Sequence, residues 1–573
     1  MKNKTLILKS LFILFSAMFI CVAALNIFNY PMAHYDDALY ADVSKNLAFG
    51  YGYASGLNEA CLARFNPNIG TGPAVILPAA LVIKIFGNKY WAPGLSAALL
   101  NFVLLFFIFW LPKKFNAAAD EILWLWRVVF IIVLFFASTL PGLEQWACFN
   151  QMYASMFGEA PAALLIIVSA IVLIYARQTA LNFFVSGVLG GLAVKSKLLS
   201  AMHVFAVVFF VFVWHYKNGM GLNQNAKKLI LYFAGLMLPY IMFDIYKLID
   251  LGSFRSYAAM KFNESNFVVN IHSGLGNSLN DGIAENSIIN IKFFIKNFGI
   301  HGFALGVCVV LYCVKNLFGK THDNKNRLFS DALLFAFACN FVWHISINPT
   351  VLTRYLFIGW VLFLTAACYY ILSVSGLKQK ILYFLIILVI LLTALNPAAE
   401  AIRHFDFAFD NTLAKDMRQV EDFMSSNKQY NYFACGWWVP WEIEYLLPAA
   451  DNFKNTVEVA QFNALSNRAL VRSKMFFGSE ENAQVNEEIK NLADKNKLFE
   501  NEYYVISKLD DNYKISDELK YRLTYYANNC PAKLKTEFPD LNIKVIKSRK
   551  DNKMLLKITA AGDQGLNGGS ETK

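Results

Sequence analysis

Long apolar segments recur along the first 400 residues of the chain, and the remainder is of mixed polarity. About 20 apolar residues cross the hydrocarbon core of a bilayer as a helix. Segments of that kind lie near 6–28, 92–112, 123–140, 159–176, 181–199, 201–216, 229–248, 298–318, 329–347, 355–373 and 381–397. The pattern predicts an α-helical multi-pass membrane protein with about 11 spans.

One further apolar segment, Thr71 to Gly87, is short and contains Pro73, Pro78 and Lys84. If it crossed the membrane, every later loop would change sides. We therefore interpret it as a juxtamembrane or re-entrant helix.

Basic residues in the inter-span loops predict the orientation of the chain. The loops with Lys113–Lys114, Arg177, Lys217 with Lys227–Lys228, Lys320–Arg327 and Lys378–Lys380 fall on the same face as the N-terminal lysines. An excess of Lys and Arg marks the cytoplasmic face. The segments 29–91, 141–158 and 249–297, and the tail from about residue 398, are then extracytoplasmic.

Composition supports this class of protein. Hydrophobic residues make up 57% of the chain, only 16% are charged, and mean hydropathy is +0.40. The net charge of +11 forms no dense basic stripe, so we expect membrane lipids and no nucleic acid among the partners. The Lys- and Asn-rich, Cys-poor composition favours a bacterial cytoplasmic membrane, with the endoplasmic reticulum as the alternative location.

The patterns divide the chain into a transmembrane module (1–397), a small extracytoplasmic α/β domain (398–560) and a disordered tail (561–573). The tail is Gly-rich and polar. In the domain, 411–426 has a helical pattern, and strand patterns lie at 430–435, 503–506, 543–545 and 554–558.

An acidic pair, Asp36 and Asp37, follows the first apolar segment. It opens a stretch with Lys45-Asn46-Leu47-Ala48 and then Gly50 and Gly52. A solvated loop or a helix N-cap would also explain such a pair.

Further motifs follow in order along the module. They are the apolar segment that closes in Phe86-Gly87, Phe157-Gly158-Glu159 before a span, Ser186 to Lys197, and Arg354-Tyr355-Leu356. Together with the acidic pair, they resemble the GT-C superfamily of membrane glycosyltransferases, over roughly residues 1–400. That group includes protein O-mannosyltransferases, aminoarabinose transferases and arabinofuranosyltransferases. Lys195-Ser196-Lys197 replaces Thr-Lys, and His-Pro does not precede Arg354.

The resemblance implies transfer of a sugar from a polyprenyl-phosphate donor to a lipid, glycan or protein acceptor, with inversion. Asp36 would be the general base, which typically contributes about 10²–10⁴-fold. Asp37 would orient the acceptor, hold a metal ion or cap a helix.

Glu159 is the second expected acidic residue of the site. It would orient the acceptor or share a divalent metal ion with Asp37, although a carboxylate is favoured at a helix N-terminus in any case. Glu144 is the alternative in the same loop.

Cations on the same face would hold the donor phosphate. We expect Lys195, Lys197 and Arg354 with Tyr355 in this role, and Arg255 and Lys261 as weaker candidates. Arg354 suits it because a guanidinium binds phosphate in a bidentate way. Snorkelling to the interface is the alternative for the lysines.

Other residues have weaker signals. His34 and His344 are expected to be interfacial residues rather than ligands. Trp437, Trp438 and Trp441 form an aromatic cluster that fits a domain core better than a sugar platform. The spacing of Gly187 and Gly191 indicates close helix packing.

Two other functions are compatible with the fold class. One is a transporter or flippase of lipid-linked sugars, which would place ionisable residues near the middle of the membrane. The acidic residues here lie at one edge, which favours the enzyme. The other is a non-catalytic scaffold, which the retained acidic pair disfavours.

Overall fold

The computed structural model describes residues 2–29, 35–55, 63–65, 69–115, 120–136, 155–267, 283–319, 324–347, 353–373 and 376, with strands at 431–435, 502–507, 541–548 and 553–560. The chain divides into two compact units. The first comprises Met1–Ile27, Pro67–Ala79 and Pro93–Phe409. The second comprises Phe28–Asn66, Ala80–Ala92 and Asp410–Lys573.

Helices dominate the described residues up to 373. In chain order they are α1 (Lys2–Asn29), α2 (Tyr35–Ala48), α3 (Pro73–Phe86), α4 (Ala92–Lys114), α5 (Asp120–Phe136), α6 (Glu159–Tyr175), α7 (Ala180–Ser196), α8 (Ser200–Lys217), α9 (Leu222–Leu251), α10 (Phe254–Phe267), α11 (Ile283–Phe318), α12 (Lys325–Ser346) and α13 (Phe357–Ser373). A 3₁₀ turn, Thr353–Leu356, leads directly into α13.

Six of the described helices are long and apolar enough to cross a membrane. The six segments are Thr5–Leu25, Ala92–Lys114, Ser200–Lys217, Leu222–Leu251, Ile300–Phe318 and Lys325–Ser346. The chain is therefore a multi-pass membrane protein by the length and composition of its helices. Shorter apolar helices lie at other predicted spans, so the total of 11 stays a prediction. The predicted span 381–397 lies outside the described residues.

Helix α3 corresponds to the contested segment. Its 14 residues rise about 21 Å, which is less than the roughly 30 Å hydrocarbon core. Leu77, Leu81 and Ile85 lie exposed along one face, whereas Ile76 and Ile83 are buried. A short helix with an apolar exposed face agrees with the juxtamembrane or re-entrant interpretation.

The core of the first unit is built around α6. Every residue of α6 except Val172 is buried. It packs against α7, α8, α12 and α13, and the α6–α7 contact includes reciprocal hydrogen bonds from the Ser169 and Ser186 hydroxyls to the partner's carbonyl, both 2.8 Å. Such bonds satisfy hydroxyl groups that would otherwise be costly in an apolar interior.

Helices α7 and α9 approach each other through glycines. A Cβ atom at Gly187 would lie 2.0 Å from the Tyr232 carbonyl oxygen, and one at Gly191 would lie 2.3 Å from that of Leu236. Only glycine allows backbones so close. The interpretation of this spacing as a packing signal is confirmed.

The second unit contains α2 and two small sheets. Strands β1 (Ala54–Ser55) and β2 (Ala63–Arg64) pair antiparallel. Strands β3 (Asn431–Cys435), β4 (Glu502–Ser507), β5 (Leu541–Ser548) and β6 (Lys553–Ala560) form a sheet in the order β3-β4-β6-β5, in which only β3 and β4 are parallel. The strands cover the predicted positions. The predicted helix 411–426 lies outside the described residues, so the α/β domain stays a prediction.

Candidate functional site

The acidic pair lies in the first turn of α2. Asp36 and Asp37 follow Tyr35, where the helix begins. Carboxylates are favoured there because the amide groups of the first turn point out of the helix end. The side chain of Asp37 is buried, whereas that of Asp36 lies outside the part that the structure describes.

The rest of the motif fixes the end of α2. Lys45 forms a buried ion pair with Asp42, with 3.1 Å between Nζ and Oδ1. The Asn46 amide donates a 3.0 Å hydrogen bond to the Ala54 carbonyl. Gly50 and Gly52 have φ angles of +91° and +85°, a region that glycine adopts without strain. The Lys-Asn and Gly-x-Gly pattern is thus explained by the turn that follows the helix.

Three segments of the first unit meet in what we call the junction: Thr71–Gly72, 155–159 and 195–197. Thr71 forms an antiparallel bridge with Lys197, and its hydroxyl donates a 2.9 Å hydrogen bond to the Met156 carbonyl. The Gly72 amide donates to the Ser196 carbonyl at 3.2 Å. The junction therefore joins the residues before α3 to the start of α6 and the end of α7.

Two glycines allow the junction to close. A Cβ atom at Gly72 would lie 1.8 Å from the Lys195 carbonyl oxygen, and one at Gly158 would lie 2.3 Å from that of Ser196. Gly158 also has a φ of +83°. A side chain at either position would displace backbone.

Glu159 and Lys197 form an ion pair inside the junction. Their carboxylate and ammonium are 3.0 Å apart, and both side chains are buried. A buried charge is costly unless it is paired, so each residue accounts for the other's presence. Glu159 also lies in the first turn of α6, where a carboxylate is favoured.

Lys195 has a different environment, although it is only two residues away. Its ammonium lies 4.0 Å from the centre of the Tyr240 ring and 5.2 Å from that of Phe243. Within the described residues it forms no ion pair with a carboxylate. Two aromatic faces stabilise the cation without neutralising it.

Lys195 belongs to what we call the basic cluster, which also contains Lys247, Lys261, Asp244 and Glu264. Glu264 pairs with Lys247 at 2.9 Å and with Lys261 at 3.2 Å. Lys261 also pairs with Asp244 at 2.9 Å. Three ammonium groups thus face two carboxylates, and the one without a carboxylate partner is Lys195.

The ion pairs hold α10 against α9. Burial acts to raise the pKa of Glu264, but the ammonium groups of Lys247 and Lys261 outweigh it and leave this pKa below its ordinary value. No motif in the sequence marked these ion pairs, and Lys261, a weaker candidate for the donor phosphate, has its ammonium engaged by both carboxylates. A signal was present, since Asp244 and Lys247 on one helix and Lys261 and Glu264 on the next are both three residues apart.

Arg354 and Tyr355 lie in the 3₁₀ turn before α13. The Arg354 side chain lies outside the described part of the chain. The Tyr355 carbonyl accepts a hydrogen bond from the Asn340 side chain at 3.3 Å, and its ring lies 6.3 Å from that of Trp343. No motif indicated that α12 would hold this turn.

The remaining candidates are dispersed. Arg255 is exposed in the first turn of α10. His344 is buried, with its ring 6.1 Å from that of Phe294, as expected of a packed histidine. His34, Glu144 and the three tryptophans lie outside the residues whose structure is described.

Asp37 and Glu159 are the residues that the sequence suggests for a metal ion. In the described part of the chain, no three His, Cys, Asp or Glu side chains come together as a ligand group. The Glu159 carboxylate already faces an ammonium group. A divalent metal ion at Asp37 and Glu159 stays a prediction, and no step of the proposed reaction depends on it.

No family model and no curated protein matches the chain. It is similar to the structure of ArnT from Cupriavidus metallidurans bound to undecaprenyl phosphate, with 12% identity, a TM-score of 0.49, and coverage of 95% of this chain and 97% of that one. For the same protein in the apo state, identity is 11%, the TM-score 0.39, and coverage 97% and 99%.

The Archaeoglobus fulgidus oligosaccharyltransferase in complex with Zn and sulfate is also similar, with 14% identity, a TM-score of 0.43, and coverage of 92% of this chain and 72% of that one. At such low identity and TM-score, these similarities carry no argument about the function of this chain.

Proposed function

We propose that this chain is an integral-membrane glycosyltransferase. It transfers a sugar from a polyprenyl-phosphate donor to a lipid, glycan or protein acceptor at the outer face of a bacterial cytoplasmic membrane. The observation that carries the proposal is Lys195, a half-buried ammonium between aromatic rings that forms no ion pair in the described structure. An unneutralised cation beside apolar helices suits a lipid with a phosphate headgroup.

The donor phosphate is held by Lys195, with Arg354 and Tyr355 as further contacts and Arg255 as an outer one. Lys197, which the sequence suggested for the same role, has its ammonium engaged by Glu159. We assign the Glu159–Lys197 pair to the support of the junction, and Lys195 to the phosphate.

The reaction is a single displacement at the anomeric carbon. The acceptor oxygen forms the new bond as the bond to the phosphate oxygen breaks, and the configuration inverts. Asp36 takes the acceptor proton, and the polyprenyl phosphate leaves as an anion. Cations near the phosphate stabilise the charge that develops there. Asp37 orients the acceptor or stabilises the start of α2.

The exposed faces of the helices suit a lipid donor. Ile241, Met242, Ile245 and Ile249 of α9 are all exposed. The first three precede Lys247 along the same helix, and Ile249 follows it. A polyprenyl tail can lie against such a surface while its phosphate reaches the basic cluster.

The test is the variant Asp36→Asn. Removal of the base is expected to lower transfer by about 10²–10⁴-fold. The measurement is release of polyprenyl phosphate from lipid-linked sugars incubated with the purified protein and an envelope extract. Asp36→Glu, which retains a carboxylate, is the matched control and should keep part of the activity.

Unchanged turnover in Asp36→Asn would refute the assignment of the base. Movement of intact lipid-linked sugar across a vesicle membrane, with no release of polyprenyl phosphate, would instead identify a transporter.

A further inference from the structure

A buried asparagine lies in the apolar helix α12. Asn340 has no exposed surface. Polar groups inside a membrane span are costly and therefore tend to have a specific role. In the sequence, Asn340 belongs to no motif, and the mechanism above does not use it.

The nitrogen and the oxygen of the Asn340 side-chain amide contact two different segments, the 3₁₀ turn and helix α13. The nitrogen donates to the Tyr355 carbonyl at 3.3 Å. The oxygen lies against Gly359 of α13, where an added Cβ atom would be 2.4 Å away. Gly359 thus leaves room for the amide, and the amide reaches the backbone of the 3₁₀ turn.

A second contact from α12 holds the same turn. Trp343 lies three residues after Asn340, which places both on one face of the helix. Its ring contacts that of Tyr355 edge to face, with 6.3 Å between ring centres. Leu356, the last residue of the turn, is fully buried. The turn is therefore fixed at its backbone, at one aromatic ring and at its final residue.

Arg354 immediately precedes Tyr355, the residue whose carbonyl is anchored. A shift of the Tyr355 backbone would move the point from which the Arg354 side chain extends. A guanidinium binds phosphate well only when its donors are correctly placed, because the interaction is planar and directional.

We propose that Asn340 is a positioning residue for Arg354: its amide fixes the Tyr355 carbonyl and thereby sets Arg354 for the donor phosphate. This inference rests on the proposed function, in which Arg354 binds that phosphate. Asn340 itself does not touch the donor.

The experiment measures equilibrium binding of undecaprenyl phosphate to the full chain in detergent. Asn340→Leu removes the amide and should weaken binding by about tenfold, since it removes the hydrogen bond to the Tyr355 carbonyl and frees the turn. The KM for a lipid-linked sugar should rise by about the same factor, and kcat should fall as well, because Arg354 also stabilises the charge that develops on the phosphate. Ser330→Ala is the matched control, because Ser330 is a fully buried polar residue on the same helix, ten positions away from Asn340.

A double-mutant cycle separates positioning from general support. If Asn340 acts through Arg354, most of the loss caused by Asn340→Leu should disappear in an Arg354→Gln background, and only the part that passes through Tyr355 should remain. Gly359→Ala, which would displace the amide oxygen, should reproduce the loss in the wild-type background.

Three results would overturn the inference. The first is equal binding by the wild-type protein and Asn340→Leu, and the second is the same loss with and without Arg354; both leave the proposed function intact. The third is no binding of undecaprenyl phosphate by the wild-type protein, which would remove the proposed donor and the inference with it.

Discussion

The junction and the basic cluster both hold lysines from the end of α7, but they balance charge differently. In the junction, Lys197 meets Glu159 one to one, and both are buried. In the basic cluster, Lys195 stands over aromatic rings while the two carboxylates are shared by Lys247 and Lys261. Only one residue, Ser196, separates the two lysines along the chain.

The difference teaches which cation is available to a ligand. In a buried ion pair the two charges neutralise each other. Breaking the pair leaves a buried charge without its partner. An ammonium stabilised by aromatic rings can still accept an anion, because the rings leave its charge intact. In the sequence, Lys195 and Lys197 are indistinguishable as lysines at the end of one apolar segment. Their partners in the fold give them different roles.

The largest expected effect is on stability at the junction. Lys197→Met leaves the Glu159 carboxylate buried and unpaired, which should lower the free energy of unfolding by about 3–5 kcal/mol. Thermal unfolding in detergent measures this loss.

The double variant Glu159→Gln with Lys197→Met is the control for that loss. It removes both charges and should recover most of the stability. If the double variant is as unstable as the single one, the lysine acts by packing and not by charge. If Lys197→Met is stable but does not bind polyprenyl phosphate, the roles of the two lysines have been exchanged.

A smaller effect, on binding and not on stability, is expected at Lys195. Lys195→Gln removes a charge-assisted contact to the donor phosphate, worth about 1.5–3 kcal/mol, or roughly 10–100-fold in affinity. The measurement is the KM for the lipid-linked sugar together with the unfolding temperature. Lys195→Arg keeps the charge and should retain most of the affinity.

A loss of stability in Lys195→Gln equal to that of Lys197→Met would remove the distinction between the two regions. Unchanged affinity would show that the phosphate is held elsewhere.

The smallest expected effect concerns pH and the basic cluster. Because the pKa of Glu264 lies below its ordinary value of 4.5, its ion pairs stabilise the fold at neutral pH and are lost as pH falls through that lowered pKa. The difference in unfolding temperature between wild type and Glu264→Gln should therefore be present at pH 7 and disappear in acid. Glu264 is about one third exposed, so we expect less than about 1 kcal/mol. A difference that persists below this pKa would contradict the ionic role.

The sequence predicted the parts of the fold that depend on composition along the chain. Ten of the eleven proposed spans overlap described helices, because a run of apolar residues must satisfy its backbone internally in lipid. The short helix α3 and the close approach of α7 and α9 were also indicated by local signals, namely length with prolines and glycine spacing.

The candidate site was predicted less completely. The order of the motifs predicted that Glu159, Lys195, Lys197 and Arg354 belong to the same site. It could not distinguish Lys195 from Lys197. Their positions at the end of α7 do not specify which neighbouring helix supplies a partner to each. Asn340 gave no signal, since a single asparagine in an apolar helix has a meaning only when the carbonyl opposite is known.

The sequence by itself determined a multi-pass membrane chain and a set of acidic and basic residues suited to a phosphate-linked sugar. Hydrophobicity and charge are properties of the individual residues, so they do not depend on how the chain folds. Only the tertiary structure decided that Lys197 pairs with Glu159, whereas Lys195 lies against the rings of Tyr240 and Phe243. It also decided that the Asn340 amide donates a hydrogen bond to the Tyr355 carbonyl. Hydrogen bonds and contact ion pairs need their partners within about 3–4 Å, so they depend on which distant segments the packing brings together.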